Sequence, residues 1–361
     1  MIRLFLKKQT NRNHTAEEGK KVLNKTRNQV SNKVPMKRKA AIVMVVTLLL
    51  SFGGSIQAYA AGTKQPVIII EKVPILAENA YTYQLMNTVF AGSTYPSMEG
   101  LALGNGKAYV LKTNGKEGTK CVLFAGEKTN LVEIKDKLKM GHGNDMTYRQ
   151  LDGKLYVASR KREEGTNKTF IYRLTTNGKI DGKIETKYVV GSIACWLNYD
   201  KKNNKDAFVL KDIGGLFHIV QINGTKLTEL CQFNVDKING ETLNQGICMY
   251  DGYLYVTYWE NKSGNSYVYR VDKKMSTVLK ESKAGTTKSY SKTCVVTLDK
   301  QNLLKSLLKK PNDFHKPVKV EIESIAFTGG YLYFTANANY EDKAGNSHCL
   351  DGLYKVKRKL A

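Results

Sequence analysis

A five-fold internal repeat is the feature that most constrains this chain. Each copy begins with an apolar strand rich in small residues, and after a turn it continues with a second strand that carries a central aromatic residue. The copies start at Gly100, Asp145, Ser192, Gly246 and Ser324, which are 45, 47, 54 and 78 residues apart. A repeat of roughly 40 to 50 residues is typical of propellers and solenoids.

Short strands separated by Gly-, Asn- and Lys-rich turns follow in each copy, which predicts antiparallel blades of about four strands. The last copy supplies only a third strand, so we expect Tyr81–Phe90 to complete the final blade and close the circle. The sequence therefore predicts an all-β fold over residues 81–361, a five-bladed β-propeller closed by an N-terminal strand. The long last interval indicates an insertion around Lys273–Asp313, with one short helix at Asn302–Lys309, or a degenerate sixth blade.

The first two strands of each copy have different predicted environments. Small residues favour the innermost position, where strands crowd around the axis. The second strands share an aromatic column, which we expect to pack between neighbouring sheets because it recurs at the same position in every copy; stacking against sugars is the alternative. The column consists of Tyr109, Tyr156, Phe208, Tyr255 and Tyr333.

The N-terminal 80 residues are predicted to lie outside the propeller. Residues 1–35 form a polar, basic leader without an apolar period, expected to be disordered, and translation begins at either Met1 or Met36. Residues 36–60 have the layout of a signal peptide: a basic start, an apolar stretch, and small residues at Ala58 and Ala60. An uncleaved membrane anchor is the alternative, and residues 61–80 are read as a linker.

The exported part of the chain is strongly basic. Residues 1–39 hold twelve of the 57 Lys and Arg residues and two of the 32 Asp and Glu residues, and residues 40–60 hold none, so the chain from Ala61 carries a net charge of +15. Such a charge attracts polyanions such as wall polymers, anionic lipid surfaces or acidic polysaccharides. Export disfavours nucleic acid as the partner. A merely soluble, Lys-rich surface is the alternative interpretation.

Six cysteines allow disulfides in an exported chain, but no CxxC pair occurs and their pairing stays open. Cys248 occupies a column of small residues, so we interpret it as a core residue. No Cys or His pair has the spacing of metal ligands, and no phosphate-binding or nucleophile motif is present. We expect neither a metal nor a cofactor, and a monomeric protein.

Polar residues stand at the start of the inner strands, where a propeller gathers distant segments around the mouth of its central funnel. We predict a ligand-binding site there; strand-end capping is the alternative. The candidate residues are Glu99, His142, Asn144, Asp145, Gln245 and Glu323.

An enzyme is the second functional hypothesis. Glycoside hydrolysis needs two carboxyl groups about 5–5.5 Å or 6.5–9.5 Å apart, and Glu99, Asp145 and Glu323 are available on contiguous blades. A protein–protein interaction module is the third hypothesis.

The repeated strand pairs, together with the string from His142 to Tyr148, resemble a group of exported propellers. This group includes helveticin J bacteriocins, teichoic-acid-associated TagC proteins and phage receptor-binding proteins. The resemblance covers most of residues 80–358 and implies a five-bladed propeller that binds cell-surface polymers. Together with the charge it favours a secreted, bacterial, non-catalytic protein, peripherally associated with the cell wall, that recognises an anionic or carbohydrate wall polymer.

Overall fold

A computed structural model describes residues 83–89, 94–114, 119–160, 166–237, 241–243, 245–260, 263–282, 286–307, 314–357 and 359–360. Within these residues the strands form five sheets arranged as a five-bladed β-propeller, which confirms the predicted fold class. The predicted leader, signal peptide and linker (1–35, 36–60 and 61–80) lie outside the described residues.

Blades 1 to 3 follow the repeat in chain order, after a separate first strand, β1 (Tyr83–Thr88). Blade 1 contains β2 (Ser97–Gly104), β3 (Lys107–Thr113), β4 (Cys121–Glu127) and β5 (Asn130–Leu138). Blade 2 contains β6 (Asp145–Arg149), β7 (Lys154–Ala158), β8 (Thr169–Leu174) and β9 (Ile180–Thr186). Blade 3 contains β10 (Val190–Asp200), β11 (Lys205–Asp212), β12 (Phe217–Asn223) and β13 (Lys226–Val235), and a 3-10 turn at Lys201–Asn203 joins β10 to β11.

Blades 4 and 5 are more elaborate. Blade 4 contains β14 (Glu241–Leu243), β15 (Ile247–Tyr250), β16 (Tyr253–Glu260), β17 (Ser266–Val271) and β19 (Lys292–Leu298). Blade 5 contains β20 (Phe314–Thr328), β21 (Tyr331–Asp342), β22 (Ser347–Cys349) and β23 (Gly352–Val356). β18 (Lys288–Tyr290) pairs in parallel with β13 at the edge of blade 3.

Strand β1 closes the circle as predicted. It pairs antiparallel with β23, from Tyr83 opposite Val356 to Thr88 opposite Gly352, and so becomes the outermost strand of blade 5. The buried hydrophobic residues form five clusters, and each cluster lies between two neighbouring blades, including blades 5 and 1. The ring therefore has a core in every interface.

The inner strands approach closely at the axis because four of the five residues at which the copies start are glycine or serine. A Cβ added to Gly100 would lie 2.8 Å from the Cβ of Met146, and one added to Gly246 would lie 2.5 Å from the Cα of Ser324. Any side chain at these two glycines would push neighbouring inner strands apart. The small residues of each repeat therefore determine how tightly the blades pack.

The aromatic column packs between blades, as expected. All five rings are at most 6% exposed. Tyr109 stacks on Tyr148 of blade 2 with ring centroids 6.0 Å apart, and Tyr156 packs on Phe208 of blade 3 at 4.7 Å. This burial leaves these rings no face with which to stack against a sugar.

The segment predicted as an insertion, 273–313, contributes to two blades rather than to a sixth. It contains β18 and β19, which extend blades 3 and 4, and two short helices, α1 (Met275–Glu281) and α2 (Lys300–Leu307). The expectation of a single helix at Asn302–Lys309 is wrong in number. Helix α1 has only about two turns, with Met275 and Val278 buried, and this is too short to show a helical period in the sequence.

All six cysteines are free in the structure. Cys248 is a buried residue of the inner strand of blade 4, as predicted. Among the described helices, none has the length and apolar character needed to cross a bilayer.

Candidate functional site

The predicted site residues lie where the inner strands begin, and we call this end of the axis the funnel mouth. Glu99 comes from β2 of blade 1 and Glu323 from β20 of blade 5. His142 and Asn144 precede β6, and Gln245 precedes β15. Residues far apart in the sequence are thus brought to one end of the hub by the common direction of the inner strands.

Two glutamates form the buried centre of the funnel mouth. Glu99 and Glu323 are each 3% exposed. Burial raises the pKa of both well above its usual value; the charge of Glu321 adds to this at Glu99, and the neighbouring Glu99 carboxylate adds to it at Glu323. Both groups therefore bind protons more readily than an exposed carboxylate, and protonation of either one removes the repulsion between their charges.

Each glutamate has one polar partner that orients it. His142 Nε2 lies 3.2 Å from Glu99 Oε1, and the imidazole is the more accessible of the two side chains, 19% exposed against 5%. The Asn337 amide donates a hydrogen bond to Glu323 Oε1, while its own oxygen accepts from the Met98 backbone N–H at 2.8 Å. Asn337 thereby links the acid of blade 5 to the inner strand of blade 1.

Lys319 and Glu321 lie beside the acid pair, and neither was among the residues predicted from the sequence. Besides burial, the charges of Glu321 and Lys319 act on the pKa of both glutamates, so both side chains lie close to the acid pair. The Lys319 ammonium forms an ion pair with Glu321, whose Oε1 also accepts from Gln245 Nε2 at 3.1 Å. Both residues precede the start of the fifth copy at Ser324, so the repeat gave no reason to select them.

A lysine of blade 3 also lies near the start of its inner strand. Lys211 stands opposite Ser192 in the pairing of β10 with β11. Burial lowers its pKa to about 8, and the charge of Arg160 acts in the same direction. The funnel mouth thus combines protonatable acids with amines, a set that forms hydrogen bonds to hydroxyl and anionic oxygen atoms.

Asp145 differs from the other candidates because its carboxylate is fully engaged at the axis. It is 0% exposed. Its Oδ2 accepts from the backbone N–H groups of Ile193 at 3.0 Å and Ile247 at 3.3 Å, and its Oδ1 accepts from Met146 N–H at 2.9 Å and the Ser324 hydroxyl at 2.6 Å. One carboxylate therefore joins the inner strands of blades 2, 3, 4 and 5, and its pKa rises to about 7 because burial outweighs these hydrogen bonds.

Asn144 also connects blades. Its Nδ2 donates to the Gly191 carbonyl oxygen of blade 3 at 2.7 Å. Its Oδ1 is buried and has no hydrogen-bond partner among the described residues. The candidates thus divide into two groups: Glu99, His142, Gln245 and Glu323 contact other polar side chains at the funnel mouth, whereas Asp145 and Asn144 hold neighbouring inner strands.

No metal site was found in the part of the chain that the structure describes, since no three His, Cys, Asp or Glu side chains there are grouped to hold an ion.

Comparison with known proteins gives neither a matching family model nor a matching curated protein. Solved structures do match. A mutant of the GH43 protein BlXynB from Bacillus licheniformis is 11% identical with a TM-score of 0.40, covering 77% of this chain and 59% of that one. A GH43B protein associated with xyloglucan in Bacteroides ovatus is 12% identical with a TM-score of 0.44, covering 78% and 59%.

The major allergen Mala s 1 of Malassezia sympodialis is 10% identical with a TM-score of 0.39, covering 73% of this chain and 78% of that one. The chain spans less than two thirds of the length of both GH43 proteins. Likeness at these identities and TM-scores does not bear on what this chain does. The fold follows from its own five sheets, and its function has to be argued from the funnel mouth.

Proposed function

We propose that the chain is an exported, non-catalytic protein that binds an anionic or carbohydrate polymer of the bacterial cell surface at the funnel mouth. The observation that carries this proposal is the convergence of Glu99, His142, Gln245, Lys319 and Glu323 from four blades at one end of the axis. Carboxyl, imidazole, amide and ammonium groups together complement the hydroxyl and anionic oxygens of such a polymer.

Surface charge provides the second part of the mechanism. A cavity of about 480 Å³ between the outer hairpins of blades 1 and 2 is lined by Lys135, Lys137, Lys139 and Lys179, with Asp136 as its acidic residue. With the net charge of +15 from Ala61 onward, these lysines favour the approach of a polyanion before the funnel mouth makes specific contacts. On this proposal the protein is a monomer, associates peripherally with the cell wall, and does not act on nucleic acid.

Retention of the full chain on purified bacterial cell walls tests the proposal. We expect retention to fall as NaCl rises from about 0.05 to 0.5 M, because exposed charges are screened over about 8 Å at physiological ionic strength. Removing the phosphate-rich polymers from the walls should reduce retention as well. Binding that is indifferent to salt and to this extraction contradicts the electrostatic part.

The specific part is tested with His142→Ala and Lys319→Met. Both side chains are more accessible than the acid pair, so these variants should fold normally yet bind wall polymer about tenfold less well, as expected for the loss of one charge-assisted hydrogen bond. Asp236→Asn, at an exposed position, is the matched control and should bind normally. If His142→Ala and Lys319→Met are retained on cell walls as strongly as the wild type, recognition does not occur at the funnel mouth.

Glycoside hydrolysis is the second candidate, favoured by the raised pKa of Glu99 and Glu323. A carboxyl group that stays protonated near neutral pH is what a general acid requires. Asp145, the third acid considered, has both oxygens engaged by protein donors. Release of reducing ends from wall polysaccharides by the wild type, abolished in Glu99→Gln and Glu323→Gln, would establish hydrolysis instead of simple binding.

A further inference from the structure

A cavity at the opposite end of the hub has features of a ligand site. It lies where β15 ends and β16 begins, and has a volume of about 560 Å³. Small-molecule sites range over roughly 300–1,000 Å³, so the cavity has room for one sugar-sized ligand. Its lining consists of Tyr250, Asp251, Tyr253, Tyr255, Arg270 and Leu360.

Arg270 is held in this cavity without a hydrogen-bonding partner for its Nε. The guanidinium carbon lies 4.9 Å from the centroid of the Tyr253 ring, and Lys274 Nζ lies 5.3 Å from the same centroid. The Nε atom is buried and makes no hydrogen bond to any described residue. A buried, unsatisfied donor on a charged group is costly, so its presence calls for an explanation.

The internal repeat supplies the comparison. Arg173 of blade 2 occupies the equivalent position, because Tyr156 pairs with Arg173 just as Tyr255 pairs with Arg270. Arg173 Nε donates to Asp181 Oδ1 at 2.8 Å, and its other nitrogens donate to backbone carbonyl oxygens of Asp181 and Gly224. The arginine of blade 2 is thus satisfied by a carboxylate from its own blade.

Blade 4 lacks that carboxylate. Asp181 lies at an irregularity between the partners of Arg173 and Leu174, where β9 has an extra residue, whereas β17 and β19 pair without one at this point. Thr293 stands opposite Arg270, and its hydroxyl donates to Asp272 Oδ1 at 2.6 Å. Because Arg270 lines the cavity, an anionic oxygen bound there would take the place of the missing carboxylate.

Aromatic side chains replace the charged residues of blade 2 around this position. Tyr250 and Tyr253 stand where blade 2 has Arg149 and Lys154. Tyr250 is backed by Phe327 of blade 5, with ring centroids 5.0 Å apart at an interplanar angle of 27°. An aromatic ring fixed in this manner provides an apolar surface at little entropic cost, and a sugar ring packs readily on such a surface.

We propose that this cavity binds a sugar that carries a phosphate or carboxylate group. Arg270 binds the anionic group, taking the place that Asp181 fills in blade 2, while Tyr250 and Tyr253 pack against the sugar ring and Asp251 accepts hydrogen bonds from its hydroxyls. The site lies at the end of the hub opposite the funnel mouth and does not rest on the proposed function.

Calorimetric titration of the full chain with small probes tests the inference. We expect glucose 6-phosphate or glucuronate, or both, to bind more tightly than inorganic phosphate and glucose, which each offer half of the recognised chemistry. The two anionic sugars distinguish a phosphate from a carboxylate source. If neither anionic sugar binds more tightly than inorganic phosphate and glucose at millimolar concentration, the proposal is overturned.

Arg270→Lys and Arg173→Lys form a matched pair of variants. Arg270→Lys should weaken binding of the anionic sugar by about tenfold or more, since lysine keeps the charge but loses the planar fork of donors. It should leave the melting temperature nearly unchanged. Arg173→Lys should lower the melting temperature, because it loses its bonds to Asp181, and should bind normally.

The opposite pattern overturns the proposal: a melting temperature lowered by Arg270→Lys with unchanged binding makes Arg270 a structural residue. Tyr253→Leu separates the two recognised groups. It keeps an apolar side chain and should weaken binding of the anionic sugar while leaving the affinity for inorganic phosphate unchanged. Full affinity in this variant would refute packing of the ring on Tyr253. Asp236→Asn, at an exposed position outside the cavity lining, is the control and should bind these probes normally.

Discussion

Asp145 fills the space that its small neighbours leave at the axis. The second column of the repeat reads Gly100, Asp145, Ser192, Gly246 and Ser324, so one carboxylate enters a hub otherwise lined by glycine and serine. It accepts hydrogen bonds from the inner strands of blades 3 and 4 and from the Ser324 hydroxyl of blade 5. The position that begins the second copy thus holds four blades together.

Asp145→Asn should therefore destabilise the whole propeller. The amide places an NH₂ group among four donors, so at least one buried N–H or hydroxyl loses its acceptor, and we expect a loss of about 3 kcal/mol in the free energy of unfolding. Urea denaturation of the variant and the wild type measures this loss in the free energy of unfolding. Asp236→Asn, on the surface, is the control, and equal stability of the two variants would show that the axial hydrogen bonds contribute little.

At the residue scale, the sequence predicted where the polar side chains of the hub lie better than it predicted what each of them does. Glu99 and Glu323 were placed in one column, and the structure brings them together. Asp145, one column further, was grouped with them because both columns are polar and adjacent in the sequence. Adjacent residues of a strand point to opposite faces, and only the packing of neighbouring blades decides which face meets the axis. Lys319 and Glu321 were missed because the strand that bears them extends beyond the repeat.

Among the elements, β1 depends on a buried ion pair as well as on strand pairing. Lys112 of blade 1 is 2% exposed, and its Nζ donates to the Val89 carbonyl oxygen at 2.9 Å and lies 3.4 Å from Asp351 Oδ2. Asp351 Oδ1 accepts from the Ala338 N–H at 3.0 Å, and the Asp351 carbonyl accepts from the Val89 N–H at 2.9 Å. One lysine thus connects the closing strand to both blades it joins.

Lys112→Met should loosen this closure. It leaves the buried Asp351 carboxylate without its cation, which typically costs about 3–5 kcal/mol, and we expect the amides of β1 to exchange hydrogen faster than those of blade 3. Hydrogen exchange measured by mass spectrometry is the appropriate readout. Lys168→Met removes the exposed pair with Glu185 and should cost less than about 1 kcal/mol. Wild-type protection of β1 in Lys112→Met would refute a closing role for the pair.

The closing strand was predictable because a propeller must pair its last edge, and Tyr81–Phe90 is the strand-like segment that lies just before the first copy. The contents of the 273–313 segment were not predictable in the same manner. β18 joins a sheet formed by strands more than fifty residues earlier, and such pairing leaves no local signal in the sequence. Repeats therefore revealed the elements that recur, and tertiary contacts determined those that occur once.

At the scale of the whole molecule, the hub determines how stability depends on pH. Burial raises the pKa of Asp145 from 3.8 to about 7, and it raises the pKa of Glu99 and Glu323 well above 4.5. The folded chain therefore holds protons that the unfolded chain releases between about pH 4 and pH 7. This contribution is fully present below the unfolded pKa and is lost as the pH rises through the folded pKa.

The free energy of unfolding should accordingly decrease by a few kcal/mol from about pH 5 to about pH 7.5, since one pKa unit corresponds to about 1.4 kcal/mol. Partly exposed carboxylates with lowered pKa, such as Asp181, Asp200 and Asp342, act in the opposite direction but titrate at lower pH. Urea denaturation at both pH values measures the slope, and the double variant Glu99→Gln/Glu323→Gln should flatten it. Stability that rises over this interval in the wild type would mean that these carboxyl groups are ionised in the folded hub, and the funnel mouth would then be a strongly anionic surface unsuited to a polyanion.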